Sequence, residues 1–330
     1  MNTGMNFELN APASIAEVVE QLANKTGARV FSGGTDLVPN LRRRIGTPPV
    51  LVSTDGVAEM KSVDLQGDHL VIGAAMPLAQ LLESDKLAGF PALLQAIAEV
   101  AGPGLREAAT IGGNLCQDTR CLFYNQSHWW RKSNGFCLKL DGDTCHVAPN
   151  GEHCFAAYCG DVAPALLVLG AEVRIAAQGK DRWVSLNSIY EDDGRSHLLL
   201  KPGELLVSIR IPLKAAQWRS GYLKSRLRKS VDFPLAGVAV ALRLDNRGIS
   251  HLRIAVTGTN ARPLLFEDFS VVPLSITDDL ALSAIDREIG QSIKPMRTTN
   301  LPGLYRRKMV AVLGRRLIEG LTAPTGKNGV

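Results

Sequence analysis

No stretch of this 330-residue chain holds the roughly twenty consecutive apolar residues that a membrane-spanning helix needs. Charge of one sign is also scarce in excess. The net charge of +5 is too small and too dispersed to argue for nucleic acid or a membrane surface as a partner. With 45% hydrophobic and 21% charged residues, the composition excludes disorder, a collagen-like repeat or a coiled coil as the main architecture. Residues 1–10 are polar, carry Glu8, and lack a basic region followed by an apolar core. The expectation is a cytoplasmic protein without a secretory signal. The chain is long enough for about two domains and for a core that needs no covalent staples.

Cysteine is missing outside positions 116–159, and all six cysteines fall inside that window. Cys116, Cys121, Cys137, Cys145, Cys154 and Cys159 are spaced C-x4-C, C-x15-C, C-x7-C, C-x8-C and C-x4-C. Three disulfides would satisfy the count. Clustered thiols in a chain without an export signal point to metal instead. The spacing matches neither a zinc ribbon nor a bacterial ferredoxin run, so zinc and iron–sulfur both stay open. The same window holds Phe123, Tyr124, Trp129, Trp130, Phe136, Phe155 and Tyr158, from a chain poor in aromatics (5%). It also holds His128, His146 and His153, three of the six histidines. Without a regular period it reads as an irregular loop module with a small aromatic core, and so long a loop is uncommon unless it is functional.

Elsewhere strands and helices alternate without a regular βαβ rhythm, which predicts an α+β fold. Residues 12–26 read as a helix, with Ser14 and Glu17 as a capping box. Further helices are expected over 77–83, 91–100 and 164–169, and a break over 101–105. Short strands are expected at 28–31, 50–53, 70–74, 172–176 and 204–211. Residues 221–226, 235–244 and 249–257 read as three strands of an antiparallel meander, turned at Asn246-Arg247-Gly248. The four-residue recurrence of Tyr305, Met309, Leu313 and Leu317 predicts a closing helix, and 322–330 a loose tail. His69, His197 and His251 are isolated and read as surface or packed residues; no nucleophile–base set is visible.

Two glycine loops stand out. Val30-Phe31-Ser32-Gly33-Gly34-Thr35-Asp36-Leu37 follows a strand, and Thr110-Ile111-Gly112-Gly113-Asn114 comes eighty residues later. Paired glycines let the backbone approach a bound group closely and aim N–H groups at an anion. These loops, with Gly104-Leu105-Arg106, Asp161-Val162-Ala163-Pro164-Ala165-Leu166-Leu167, Tyr222-Leu223-Lys224, Asp232-Phe233-Pro234 and Tyr305-Arg306-Arg307, resemble the flavoprotein subunits of the molybdenum hydroxylases, the xanthine dehydrogenase group. The resemblance covers nearly the whole chain. It implies a two-lobed PCMH-type FAD-binding domain, with subdomains at 1–56 and 57–217. A CO-dehydrogenase-flavoprotein-like C-terminal domain at 218–330 follows, with a three-stranded antiparallel sheet and helices. It also implies that the two loops hold the FAD pyrophosphate, and that Asp161 and Lys224 approach the flavin.

The sequence departs from ordinary members between Asn114 and Asp161, where the cysteine-rich window, about 116–159, is extra. The run from Asn114 to Cys121, with Phe123-Tyr124-Asn125-Gln126-Ser127 and Trp129-Trp130, is similar to the 4-hydroxybenzoyl-CoA reductase branch. That resemblance implies a [4Fe-4S] cluster on Cys121, Cys137, Cys145 and Cys154, leaving Cys116 and Cys159 as small packed residues. It further implies a molybdopterin-bearing α subunit, a γ subunit with two [2Fe-2S] clusters, an (αβγ)2 assembly and ferredoxin as electron donor, with substrate chemistry on the partner. The alternatives are a flavin subunit of another hydroxylase, or a flavin-free structural subunit with a zinc-stapled loop. Arg120, Arg131, Lys132 and Lys139 could offset an anionic cluster, but solvated loop charge is the expectation for each. Arg42 to Arg44 are likewise expected to form a solvated face.

Overall fold

A computed structural model of the chain describes residues 6–229, 231–269, 278–299 and 301–323. Most of the expected tail, residues 324–330, lies outside the described residues. The fold is α+β, built on three sheets. Strands β1 (Glu8–Asn10), β2 (Arg29–Phe31) and β3 (Val50–Ser53) form a parallel sheet with β3 in the middle. Parallel pairing requires a crossover. The helix Leu37–Arg42 supplies it between the paired β2 and β3, while the helix Ile15–Asn24, with Val18 and Val19 buried, carries the chain from β1 to β2. Ser14 Oγ accepts from Glu17 N at 3.2 Å, while Glu17 reaches back to Ala13 N at 2.9 Å, one residue earlier than a standard capping box.

The second sheet is antiparallel, ordered β4-β5-β8-β6-β7. Its strands are β4 (Val63–Gln66), β5 (His69–Gly73), β6 (Glu172–Ala177), β7 (Lys180–Ser185) and β8 (Leu205–Pro212). The third contains β9 (Arg219–Ser225), β10 (Ala236–Asp245), β11 (Gly248–Thr257) and β12 (Leu264–Phe266). The meander therefore has four strands, not the expected three. β12 is only three residues long and follows Pro263, too short for alternation to reveal it. The expected break at 101–105 is half right. Ala101 has a positive φ of 47°, and a short helix, Pro103–Arg106, then begins with proline in its first turn.

Helix Val162–Val168 is buried along its whole length, with sheet three on one side and helix Pro91–Glu99 nearby. One apolar core runs from the first sheet through this helix, and a second lies between the four-stranded sheet and the helices Asp279–Ser292 and Gly303–Thr322. No helix among the described residues is long and apolar enough to cross a membrane.

Candidate cofactor cleft and cysteine insertion

The glycine loops meet. Ser32 Oγ and Thr110 Oγ1 are hydrogen-bonded at 3.1 Å across 78 residues of sequence. Gly33 and Gly34 both take left-handed backbone, φ +66° and +68°. A Cβ on Gly33 would lie 1.8 Å from Ala108 O, so only glycine fits. In the second loop Thr110 caps a short turn, its Oγ1 accepting from Gly113 N at 3.1 Å. Asn114 Oδ1 accepts from Val162 N at 3.1 Å, which ties this loop to the Asp161 segment.

The loops border a cleft of about 540 Å³, within the usual size of ligand pockets. Val30, Ser32, Gly34, Thr35, Asp36, Leu37, Thr110, Gly112, Gly113, Asn114 and Asp161 line it. Phe31, Gly33, Ile111 and Lys224 are not among the lining residues. Phe31 packs under Gly34, where a Cβ would meet its ring at 2.6 Å, and Ile111 is fully buried in the core. These two shape the loops from behind. Lys224 is the larger correction. Its ammonium donates to Asp161 Oδ2 at 2.8 Å and to Glu99 O at 2.9 Å, with the two side chains 1% and 5% exposed. It acts on the cleft through Asp161. Tyr222 donates to the other Asp161 oxygen at 2.6 Å. Burial still dominates and pushes the Asp161 carboxyl up to about 6, while Lys224 and Tyr222 pull it down.

Sequence reasoning missed much of the cleft wall. Asn40, Thr54, Gln117 and Arg120 line it, and Asn40 Oδ1, Thr54 Oγ1, Gln117 Nε2 and Arg120 Nε are buried there without a hydrogen-bond partner. Unpaired buried polar atoms are costly, so four of them around one cleft fit a polar ligand such as FAD. His197, expected to be an ordinary histidine, also lines the cleft. Its Nε2 lies 2.9 Å from Gln117 O, and burial lowers its pKa to about 4. Of the arginine run, all three are exposed as expected, and Arg43 reaches the cleft.

The insertion has little regular structure beyond the helix His128–Ser133, capped by Ser127 Oγ. It folds around its own small core of Cys121, Tyr124, Cys154 and Ala156, with Ile45 from outside and Phe123, Cys137 and Leu140 against it. Cys145 is buried, close enough to Cys121 and Cys154 that its charge would act on both. Burial raises the Cys121 thiol and pushes Cys154 up to about 12. Among the described residues no three His, Cys, Asp or Glu side chains are grouped to hold a single ion. Cys121, Cys137 and Cys154 thus share this small core, and Cys145 lies near Cys121 and Cys154. Cys116 and Cys159 line the cleft instead, with thiols pushed up to about 12 and 11 by burial.

The expected solvated charges are mostly not solvated. Arg131 is 2% exposed and donates to Arg43 O and Arg44 O at 2.9 Å. Lys139 pairs with Asp118 at 2.6 Å and lies 4.3 Å from the Tyr124 ring centroid. Arg120 pairs with Asp36. Only Lys132 is exposed. A loop with no period gives no burial signal, so these roles became visible only once it was folded against residues 36–45.

Residues 5–214 match the family model described as the FAD binding domain in molybdopterin dehydrogenase. The chain belongs to this family. It is similar to the aldehyde oxidoreductase FAD-binding subunit PaoB of Escherichia coli strain K12, 31% identical over 269 residues, covering 78% of this chain and 82% of that protein. It is similar to the carbon monoxide dehydrogenase medium chain of Afipia carboxidovorans, 28% identical over 322 residues, covering 95% and 96%. A chain of the solved Cu,Mo-CO dehydrogenase in its cyanide-inactivated form superposes with a TM-score of 0.78 at 25% identity, covering 96% of this chain and 98% of that one. The chain is thus an FAD-domain subunit of the molybdenum hydroxylase type, and its fold is that of the CO dehydrogenase medium chain.

Proposed function

We propose that the chain carries FAD for a molybdenum hydroxylase-type oxidoreductase and passes electrons, leaving substrate chemistry to a molybdopterin-bearing partner. The observation that carries this reading is the meeting of the two glycine loops around a cleft with four unpartnered buried polar atoms. Ser32 to Asp36 and Thr110 to Asn114 would hold the pyrophosphate by backbone approach, and Asp161, steadied by Lys224 and Tyr222, would face the flavin portion. Val30, Phe31, Leu37 and Ile111 complete or buttress those loops. FAD, when bound, supplies two-electron chemistry that can be split into single-electron steps. The relatives are named as subunits or chains of oxidoreductases acting on aldehydes, carbon monoxide or xanthine. Shared architecture with differing substrates supports a partner that selects the substrate. Membership in an FAD-binding family leaves a flavin-free structural role without support.

A narrower reading is favoured by the insertion: a [4Fe-4S] cluster held by Cys121, Cys137, Cys145 and Cys154. Loading it would displace protons from thiols that burial keeps protonated. Buried Lys139 and Arg131 would offset its negative charge. In this reading ferredoxin donates electrons, a γ subunit with two [2Fe-2S] clusters receives them, and the (αβγ)2 complex reduces 4-hydroxybenzoyl-CoA. Two electrons and two protons remove the ring hydroxyl as water and leave benzoyl-CoA. The relatives named above instead support an oxidising hydroxylase. Anaerobically purified protein should contain FAD with four irons and four sulfides. The Cys121→Ser and Cys154→Ser variants should lose the iron, and Cys116→Ser should keep it. FAD with zinc and no sulfide would refute the cluster and leave the oxidising reading. Dehydroxylation by the assembled complex with reduced ferredoxin decides between the two directions.

A further inference from the structure

Arg120 joins three parts of the chain that are distant in sequence. Its guanidinium pairs with Asp36, at the end of the first glycine loop, and stacks 4.4 Å from the centroid of Phe233, just before β10. Its backbone is bridged to Ala157 at the far end of the insertion, with N–H···O distances of 2.7 and 2.8 Å. The side chain is 14% exposed, lines the cleft, and keeps Nε buried with no partner. Asp36 gives its second oxygen to the insertion as well, accepting from Asp118 N at 3.0 Å. Asp118 is held in turn by Lys139 at 2.6 Å and the Tyr124 hydroxyl at 2.9 Å. One carboxylate therefore serves both the cofactor loop and the insertion.

We infer that Arg120 is a positioning residue that couples docking of the insertion to FAD binding in the cleft. The inference rests on the cofactor reading above. The guanidinium is permanently charged, and its planar fork is fixed by a carboxylate on one side and a ring on the other. The side chain so fixed lines the cleft, and its Nε is buried without a partner. Without the insertion Asp36 loses both partners, and the loop that ends on it loses its anchor. Coupling between two sites is reciprocal, so FAD must stabilise the docked insertion by the factor by which the insertion tightens FAD.

The test uses the full-length chain after removal of its flavin. Two quantities are measured: the FAD dissociation constant by flavin fluorescence, and the rate of protease cleavage within 116–159 with and without FAD. FAD should slow cleavage of the wild type roughly tenfold, within the ordinary range for coupled sites. Arg120→Gln should weaken FAD by a similar factor and abolish most of the protection. Arg120→Lys keeps the charge opposite Asp36 but not the flat stack on Phe233, and should fall between them. Asp36→Asn combined with Arg120→Gln should be little worse than Arg120→Gln alone, because both remove one interaction. Circular dichroism identifies any variant that fails to fold, and the wild-type protection measurement stands without it. Wild-type FAD binding that leaves cleavage unchanged, or Arg120→Gln binding FAD as tightly as wild type, overturns the coupling alone. A wild type that binds no FAD overturns the cofactor reading and the coupling with it.

Discussion

Replacing Lys224 with methionine isolates the buried charge on Asp161. The pair is 2.8 Å apart with both side chains almost fully enclosed, so water cannot replace the lost ammonium. Removing one partner of such a pair costs about 3–5 kcal/mol. The Tyr222 hydroxyl at 2.6 Å still donates to the carboxylate, which places the expectation at about 3 kcal/mol. The cost should depend on pH. Burial already raises Asp161 from 3.8 to about 6 with Lys224 present, and losing the lysine removes an influence that lowers it. At about pH 5 the variant can protonate Asp161 and escape the unpaired charge, leaving mainly a lost hydrogen bond worth about 1 kcal/mol. At about pH 8 the full penalty applies. In the wild type the raised pKa has a definite sign. The native state binds this proton more tightly than the unfolded chain, so the contribution is complete below pH 3.8 and is lost as pH rises through about 6. Urea unfolding of flavin-free protein at both pH values measures these differences. Asp161→Asn added to Lys224→Met should recover most of the stability at high pH. A Lys224→Met penalty independent of pH, or a double variant no better than the single, refutes the argument and returns Lys224 to a direct role at the flavin.

Gly33→Ala should cost about 1–2 kcal/mol from left-handed backbone alone, and more from the clash with Ala108 O. The flavin-to-protein ratio after gel filtration should drop sharply, and full retention would show that the loop tolerates opening. Arg306 is fully buried and donates to Leu235 O at 3.0 Å, Met296 O at 2.9 Å, Thr298 Oγ1 at 3.0 Å and Gly258 O. Arg306→Met should strand these acceptors at about 1–3 kcal/mol each, seen as a large fall in melting temperature; a shift of a degree or two would contradict it. His197 has its pKa lowered from 6.5 to about 4, so its contribution is present above 6.5 and is lost as pH falls toward 4. Imidazole NMR should show it neutral at about pH 5, and a charged ring there would refute its enclosure.

Much of the site was legible in the chain because its chemistry is local. Paired glycines at 33–34 and 112–113 announce backbone that must turn tightly or approach a ligand, and the folded loops show why at Gly33 and Gly34. Alternation at Leu205, Val207 and Ile209 marked β8 and the turn at Asn246-Arg247-Gly248 marked β10 and β11, while the three-residue β12 was too short to leave a pattern. The cysteine window was equally plain as a local anomaly of composition.

The amino-acid sequence by itself determined the α+β class, the two loops and the cysteine-rich window with the thiols that could serve a metal, since each depends on residue type or short spacing. Only the tertiary structure decided which groups share the cleft. It set Arg120 against Asp36 and Phe233, sank Lys139 and Arg131 into the insertion, and placed Lys224 behind Asp161. The physical reason is that burial and charge pairing depend on distance in space, and an aperiodic loop carries no signal of which surface it will meet.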